Sequence, residues 1–548
     1  GCDSILDKGP LDSFTNDNFW TGEGNISGYA NAFYEQFLGY GNGNGYGDFY
    51  FKTLSDDQAG ISFAKWTYPD NAPSTSATWK NGWIEVRRAN IMLENVPTVA
   101  SLDEATKNHW LGVARLMRAW QYYHLVRMYG NLPWIDKALN INDEGEIYGN
   151  REDRDMVMDK VLEDLDFAVT NIKDISSKTT WSRSLANAMK AEVCLYEGTF
   201  RKYRKNEDGQ QAPDATGAAR YLTACKEACL AVMSKGYKLN TSYQGNYNST
   251  DLSSNPEMIL YKAYKEGLLM HSTIDYTCSS TQISGMSKNA FESYLFKDGK
   301  PMALTSLNKS DEAPFQYGHL SLKAILAVRD KRLAQTIDTV LLYNGRGFTR
   351  FNTGMESTSS TGYGVAKYDN EAIPEGFRSQ SGKNYTHAPL FWLSVIYLNY
   401  AEACAELGNI TQDDLDKSIN LLKDRAGLPH LNPIVGFSDP ANNHGVSDLI
   451  WEIRRERRCE LMFDNDNRYW DLIRWHQLDK LDTTKYPDII LGANVANDMD
   501  GCEANKVGKY IDGSKDGSRI YDKKHYLYPI PTGQIALNPQ LAPNNPGW

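Results

Sequence analysis

The sequence predicts a mainly α-helical fold of tetratricopeptide-like repeats, a superhelical scaffold that carries a loop-rich ligand-binding insertion. Three observations predict it. Amphipathic stretches at helical spacing recur in pairs. The stretches stop at glycines, such as Gly130, Gly236, Gly408 and Gly427. The long middle segment loses this periodicity and turns rich in Gly, Ser, Thr, Asn and Tyr.

Residues 1–107 read as an N-terminal segment and loops. Within them GYGNGNGYGD (39–48) has the glycines of a phosphate loop. It lacks the G-K-[ST] ending and the strand-to-helix setting, so it reads as a flexible loop. Residues 108–236 read as helical repeat pairs. The stretch 108–129 is apolar nearly all round (Trp110, Val113, Met117, Trp120, Val126), as in a helix buried between neighbours, and Gly130 and Pro133 end it. From Met156 to Lys173 the apolar positions are Val157, Val161, Leu165, Ala168 and Ile172. Asp159, Lys160, Glu163, Asp164 and Asp166 fill the other face. Residues 184–203 and 218–235 form the next pair. Small residues such as Ala188 and Ala191 let its helices approach closely.

Residues 237–390 read as the loop-rich insertion. Rigid helices hold shape and loops carry recognition, so ligand contact is expected here. Residues 391–479 read as repeat pairs again: 391–407 with 412–426, then 446–464 with 469–479. Residues 480–548 read as an irregular C-terminal segment of what is expected to be one domain over 1–548.

Composition narrows the function. The chain has 548 residues, 41% hydrophobic and 23% charged, with a net charge of −11. That balance suits a folded core and excludes a basic nucleic-acid face. No apolar run approaches the roughly 20 residues of a membrane span. The 33 Tyr and 13 Trp stand out. Their flat apolar faces with polar handles suit ligands such as sugars, although most of them serve as core and rim. Of the eight cysteines, Cys194, Cys225, Cys229, Cys404 and Cys459 fall in helical patterns and read as buried free thiols. No C-x-x-C or H-E-x-x-H spacing proposes a metal, and nothing proposes a cofactor. Cys2 stands at the extreme N-terminus with no hydrophobic signal segment, as in an exported protein whose signal has been removed.

Several segments carry a resemblance. These are Cys2 with DSILD, ATWKNGWIEVRRANIMLENVP (77–97) and ARLMRAWQYYHLVRMYGNLPWI (114–135). They continue with LNYAEACAELG (398–408), RRERRCELMFDNDNRYWDLIRW (454–475) and YLYPIPTGQIALNPQLAPNNPGW (526–548). In this order they resemble the SusD/RagB family of outer-membrane nutrient-binding lipoproteins from Bacteroidetes. DNDNR (464–468) departs from the family's acidic-Gly-x-Arg run, a difference expected to alter a turn. The resemblance implies a lipid on Cys2, exposure at the cell surface, and a partnership with a TonB-dependent, SusC-like β-barrel that the protein covers as a lid. It implies capture of glycans, or of peptides in some members, and no catalysis.

The candidate ligand residues lie among aromatics outside the helices. One group is Trp66 and Tyr68, with Asp70 and Asn71 able to bind hydroxyls. The other is Tyr276, Phe315, Tyr317, Tyr363 and Tyr368, preceded by Tyr243 and Tyr247. A few of these are expected to meet ligand and the rest to pack. Trp79, Trp83, Phe291 and Tyr294 read as scaffold. The acids and arginines of 454–474 imitate acid–base machinery. Arginines on every side would hold those carboxyls ionised, so interhelical ion pairs are the expected role. The alternatives to glycan capture are a peptide carrier, a surface glycosidase with paired cleft carboxyls, and a pure assembly scaffold.

Overall fold

Each long helix begins where a side chain can accept the orphan N–H groups of its first turn. Ser76 accepts from Trp79 and opens α2 (Ala77–Asn95), and Asp103 accepts from Thr106 and opens α3 (Glu104–Tyr129). Ser182 and Asp214 do the same for α5 (Arg183–Tyr203) and α6 (Ala215–Met233). With α1 (Glu23–Asn31) and α4 (Arg154–Asn171), these helices form the first of two compact units. The computed structural model describes residues 14–15, 18–52, 54–60, 71–138, 147–278, 284–307, 321–342, 351, 357–496, 506–514 and 517–548. The first unit draws on Gly1–Phe37, Tyr68–Lys235 and Asp522–Trp548, the second on Leu38–Thr67 and Gly236–Tyr521.

In the first unit α2 packs on α3, α3 on α4, α4 on α5 and α5 on α6, the succession expected of helical repeats. Close approach needs small residues. A Cβ on Gly198 of α5 would stand 2.7 Å from Leu222 of α6. Trp79 and Trp83 are buried and meet edge to face at 5.6 Å, as scaffold. Asp164 is not on a solvent face: it is 1% exposed and accepts from Arg115 Nε and Arg118 Nε, both at 2.8 Å. Arginine forks on α3 draw this carboxylate inward against the apolar pattern.

The end of the chain closes this unit. Asn545 donates from Nδ2 to Tyr129 O and Tyr528 O, at 2.9 and 2.7 Å. Arg151 donates to Asn131 O and Pro543 O, both at 2.8 Å. Two segments far apart in sequence, 114–135 and 526–548, thus cap the end of α3 together.

The second unit is mixed. Its middle segment is far from structureless. It supplies β2 (Met258–Lys262), α7 (Thr273–Cys278), β3 (Gly285–Met286), α8 (Lys288–Ser293) and α9 (Lys331–Thr336). β2 pairs antiparallel with β4 (Ala388–Trp392), placing Met258 opposite Trp392 and Lys262 opposite Ala388. The stretch expected as helix from 391 therefore opens as strand, and α10 spans Leu393–Glu406. β3 pairs with β1 (Gln58–Ala59), and β5 (Leu491–Asn494), β7 (Tyr510–Asp512) and β6 (Lys506–Val507) form a sheet in the order β5-β7-β6. The expected helix 412–426 is broken into α11 (Gln412–Asp416) and α12 (Ile419–Ala426). Ser418 Oγ donates to Asp414 O at 2.6 Å, a local bond that competes with the helix ladder.

α13 (Asp448–Glu460) and α14 (Asn467–Arg474) carry the Arg-rich segment. Between them the DNDNR run does make an unusual turn. Phe463, Asn465 and Asp466 have φ of 70°, 52° and 58°, a region that Asn and Asp tolerate better than most residues. The described cysteines 194, 225, 229, 278, 404 and 459 are free and buried. Among the described residues no helix is long and apolar enough to cross a membrane.

Candidate functional site

Among the described residues, a Gly- and Asn-rich loop sets up the most exposed aromatic surface of the second unit. Residues 39–48 form a hydrogen-bonded loop, not a free one. Asp48 N donates to Gly39 O at 2.8 Å and Gly45 N to Asn42 O at 3.0 Å. Gly47 is required: a Cβ there would stand 2.4 Å from the backbone of Tyr40. The loop is tied to the start of α7, because Gly43 N donates to Met270 O at 2.8 Å and Ser272 Oγ to Gly43 O at 2.7 Å.

This tether brings three rings together. Tyr46 stacks on Phe51 with centroids 4.6 Å apart and planes 19° apart. Tyr276 meets Tyr46 at 5.5 Å and Phe51 at 6.0 Å, edge to face in both cases. Tyr276 is held by its hydroxyl, which donates to Asn44 O at 2.9 Å. Tyr46 remains 61% exposed, while Phe51 and Tyr276 are half-buried. Polar groups adjoin. Ser381 Oγ donates to Asp275 Oδ2 at 2.8 Å, and burial raises the Asp275 carboxyl above the usual range. Lys262 Nζ donates to Asn42 Oδ1 at 2.8 Å. The surface thus offers apolar ring faces on a loop that also carries amide groups and an adjoining ammonium, the chemistry a pyranose requires.

The sequence pointed to Tyr276 but missed Tyr46 and Phe51. The available signal was a tyrosine flanked by glycines, a large ring in a loop with little else to cover it. Of the other candidates, Asn71 is exposed. Tyr363 is buried and stacks on Phe291 at 4.3 Å and 3°. Tyr368, Tyr243 and Tyr247 are also buried. Tyr247 OH donates to Asp464 Oδ2 at 2.6 Å and Tyr243 OH to Glu460 O at 2.7 Å. These four rings are interior, with little or no face open to solvent. Trp66, Tyr68, Asp70, Phe315, Tyr317 and Cys2 lie outside the described residues.

The charged residues of 454–474 are consumed by one another and by their neighbours. Arg457 Nε donates to Asp471 at 2.8 Å, and Arg474 reaches Asp471 at 2.9 Å and Glu402 Oε1 at 2.9 Å. Glu456 receives Arg332 Nη1 at 2.5 Å, and Arg468 grips Asp56 through two bonds of 2.7 and 2.9 Å. Despite burial, Arg474 holds Glu402 down to about 2, and Arg332 with Lys423 holds Glu456 below its ordinary value. Carboxyls so held are poor proton donors near neutral pH.

A sequence model of the SusD family matches residues 231–548. The chain belongs to the SusD family. A second model, described as starch-binding associating with outer membrane, matches residues 16–195 of this SusD-family chain. SusD-like protein P2 of Formosa agariphila is 23% identical over 495 residues, covering 88% of this chain and 82% of that protein. Among solved structures, a SusD-like carbohydrate binding protein from Bacteroides fragilis aligns with a TM-score of 0.72 at 19% identity, over 96% of this chain and 100% of that one. A laminarin binding SusD-like protein aligns at 0.55 and 18%, over 96% and 100%. At such identities the structural likeness establishes the fold, a mainly helical SusD architecture with tetratricopeptide-like helices.

Proposed function

We propose that this SusD-family chain captures glycans at the cell surface, on the ring cluster of Tyr46, Phe51 and Tyr276, and delivers them to a TonB-dependent, SusC-like β-barrel. On this reading Cys2 carries the lipid that holds the protein to the outer membrane. The observation that carries the proposal is the exposed Tyr46–Phe51 stack with Tyr276 against it, held on a hydrogen-bonded loop. Sugar rings present C–H patches that such faces cover, with the Asn42 and Asn44 amides of the same loop as candidate partners for hydroxyls. Family membership supports the reading, as do the laminarin binding relative and a second similar structure solved with xylogluco-oligosaccharide. The reading needs no catalytic step, and Trp66, Tyr68, Asp70, Asn71, Phe315 and Tyr317 remain proposed contributors to the same function.

The test is calorimetric titration of the full chain without lipid against laminarin, xyloglucan and starch oligosaccharides. One stacking contact contributes about 1 kcal/mol beyond area burial, so Tyr46→Ala should weaken binding about fivefold or more. Tyr276→Phe, which keeps the ring but loses the bond to Asn44, should weaken it less. Binding to peptides and to no glycan would overturn the proposal. Glycan binding untouched by Tyr46→Ala would remove it from this surface.

A further inference from the structure

The second unit contains a cavity of about 410 Å³ that the aromatic surface does not use. That volume lies within the usual range for small-molecule sites. Trp451, Trp475 and Tyr486 contribute rings to its wall, and Asn443 and Gln477 contribute amides. The wall also carries charge of both signs, and the two signs are not equally engaged.

The carboxylates are all occupied. Asp56 is held by Arg468 through two bonds of 2.7 and 2.9 Å. Asp439 accepts from Trp451 Nε1 at 3.0 Å and is paired with Arg455. Glu292 pairs with Lys288 at 2.6 Å, and Asp488 accepts from Asn289 Nδ2 at 3.0 Å. Arg455 and Arg458 are spent on further protein acceptors: Arg455 reaches Ser293 O and Arg458 reaches Asp57 and Asn289, each at 2.8 or 2.9 Å.

Lys480 differs. Its Nζ stands 4.7 Å from the ring centroid of Trp451, and among the described residues no carboxylate or carbonyl accepts a bond from it. Burial depresses it to about 7, Arg468, Arg458 and Arg454 add repulsion, and Asp56 opposes them. An oxyanion placed here would gain a charge-assisted bond and relieve the mutual repulsion of the cations.

We propose that this cavity binds an acidic pyranose, with its carboxylate or sulfate group on Lys480 and its ring between Trp451 and Tyr486. The sugar class rests on the glycan reading above; the place and charge of the site do not. The amides then address ring hydroxyls. The arrangement selects against a neutral sugar, whose hydroxyls would give Lys480 an uncharged acceptor and forgo the charge-assisted bond.

The experiment is titration of the full chain with glucuronic acid, glucose 6-sulfate, glucose and sodium sulfate. Both acidic sugars should bind, glucose about tenfold more weakly or not at all, and sodium sulfate more weakly than either acidic sugar. Lys480→Met should weaken the acidic sugars about tenfold, whereas Lys480→Arg should retain them. Tyr46→Ala should leave them unchanged, so failure at this site and failure at the aromatic surface are read separately. In the unsubstituted protein, acidic sugars binding no better than glucose would overturn the proposal. So would sodium sulfate binding as tightly as the sugars, or Lys480→Met without effect.

Discussion

Replacing Arg332 with leucine tests how the second unit tolerates its buried charge. Arg332 is 1% exposed. Its Nη1 reaches Glu456 at 2.5 Å and Glu460 at 2.7 Å, and its Nη2 reaches Asp330 at 2.8 Å. The three carboxylates fare differently once it is gone. Glu460 keeps Arg425, and Glu456 keeps Lys423 at 3.5 Å. Among the described residues Asp330 keeps only the backbone N–H at position 332, at 2.9 Å. One buried carboxylate is thereby left without a cation, a loss of about 3–5 kcal/mol. Arg332→Lys preserves the charge but not the fork, so it should cost less. Adding Asp330→Asn to Arg332→Leu removes the orphaned charge and should recover part of the loss. Urea unfolding followed by tryptophan fluorescence gives the midpoints, compared at unchanged slope. A deficit of Arg332→Leu under about 1 kcal/mol would refute the reasoning, as would Asp330→Asn adding its own full cost on top.

Gly198→Val should destabilise the first unit by about 2–3 kcal/mol. Its Cβ would fall 2.7 and 2.9 Å from Leu222 side-chain atoms and 3.1 Å from Leu222 N, and the backbone atom cannot yield as a side chain can. Thermal unfolding checks this, and a midpoint at or above the parent value would show that the interface has slack. Acid should also destabilise the protein. Burial holds His124 and His271 at about 3 and His109 and His525 at about 4, all below the ordinary 6.5. Their folded values are depressed, so the stability they support is complete above 6.5. It falls with pH below that, by up to about 1.4 kcal/mol per pH unit for each. Asp464, raised to about 6 chiefly by burial, opposes this between about 6 and 4. The net Tm should still drop from pH 7 to 4.5, and His124→Gln should flatten the slope; a constant Tm would contradict it.

The helices were legible because periodicity and caps are local properties. α3, α5 and α6 fall within a few residues of the stretches read from sequence, and Gly130 ends α3 as the pattern requires. Errors arose where distant partners override local preference. Phe391 and Trp392 look helical beside Leu393, but β2 offers a strand to pair with. Asp164 matches the polar face of α4, but two arginines on α3 bring it inside. The candidate site was less legible still. Tyr276 and Tyr368 are the same residue type in similar composition, and only the fold makes one half-exposed and the other interior. Tyr46 was hidden by a loop whose glycines looked like slack and in fact let the backbone pass close to Tyr40.

The way residues 522–548 close the first unit has a consequence for biogenesis. The carbonyl of Tyr129 accepts from Arg151 at 3.1 Å but gains its second donor, Asn545, only after residues 236–521 have been synthesised. During that interval the end of α3 is only partly capped, with Gly130 lacking the cover of Leu527. The helices made first therefore cannot complete their own unit as they emerge. Their final docking must follow synthesis of residues 522–548, which makes the unfinished first unit a natural client for holding chaperones until then.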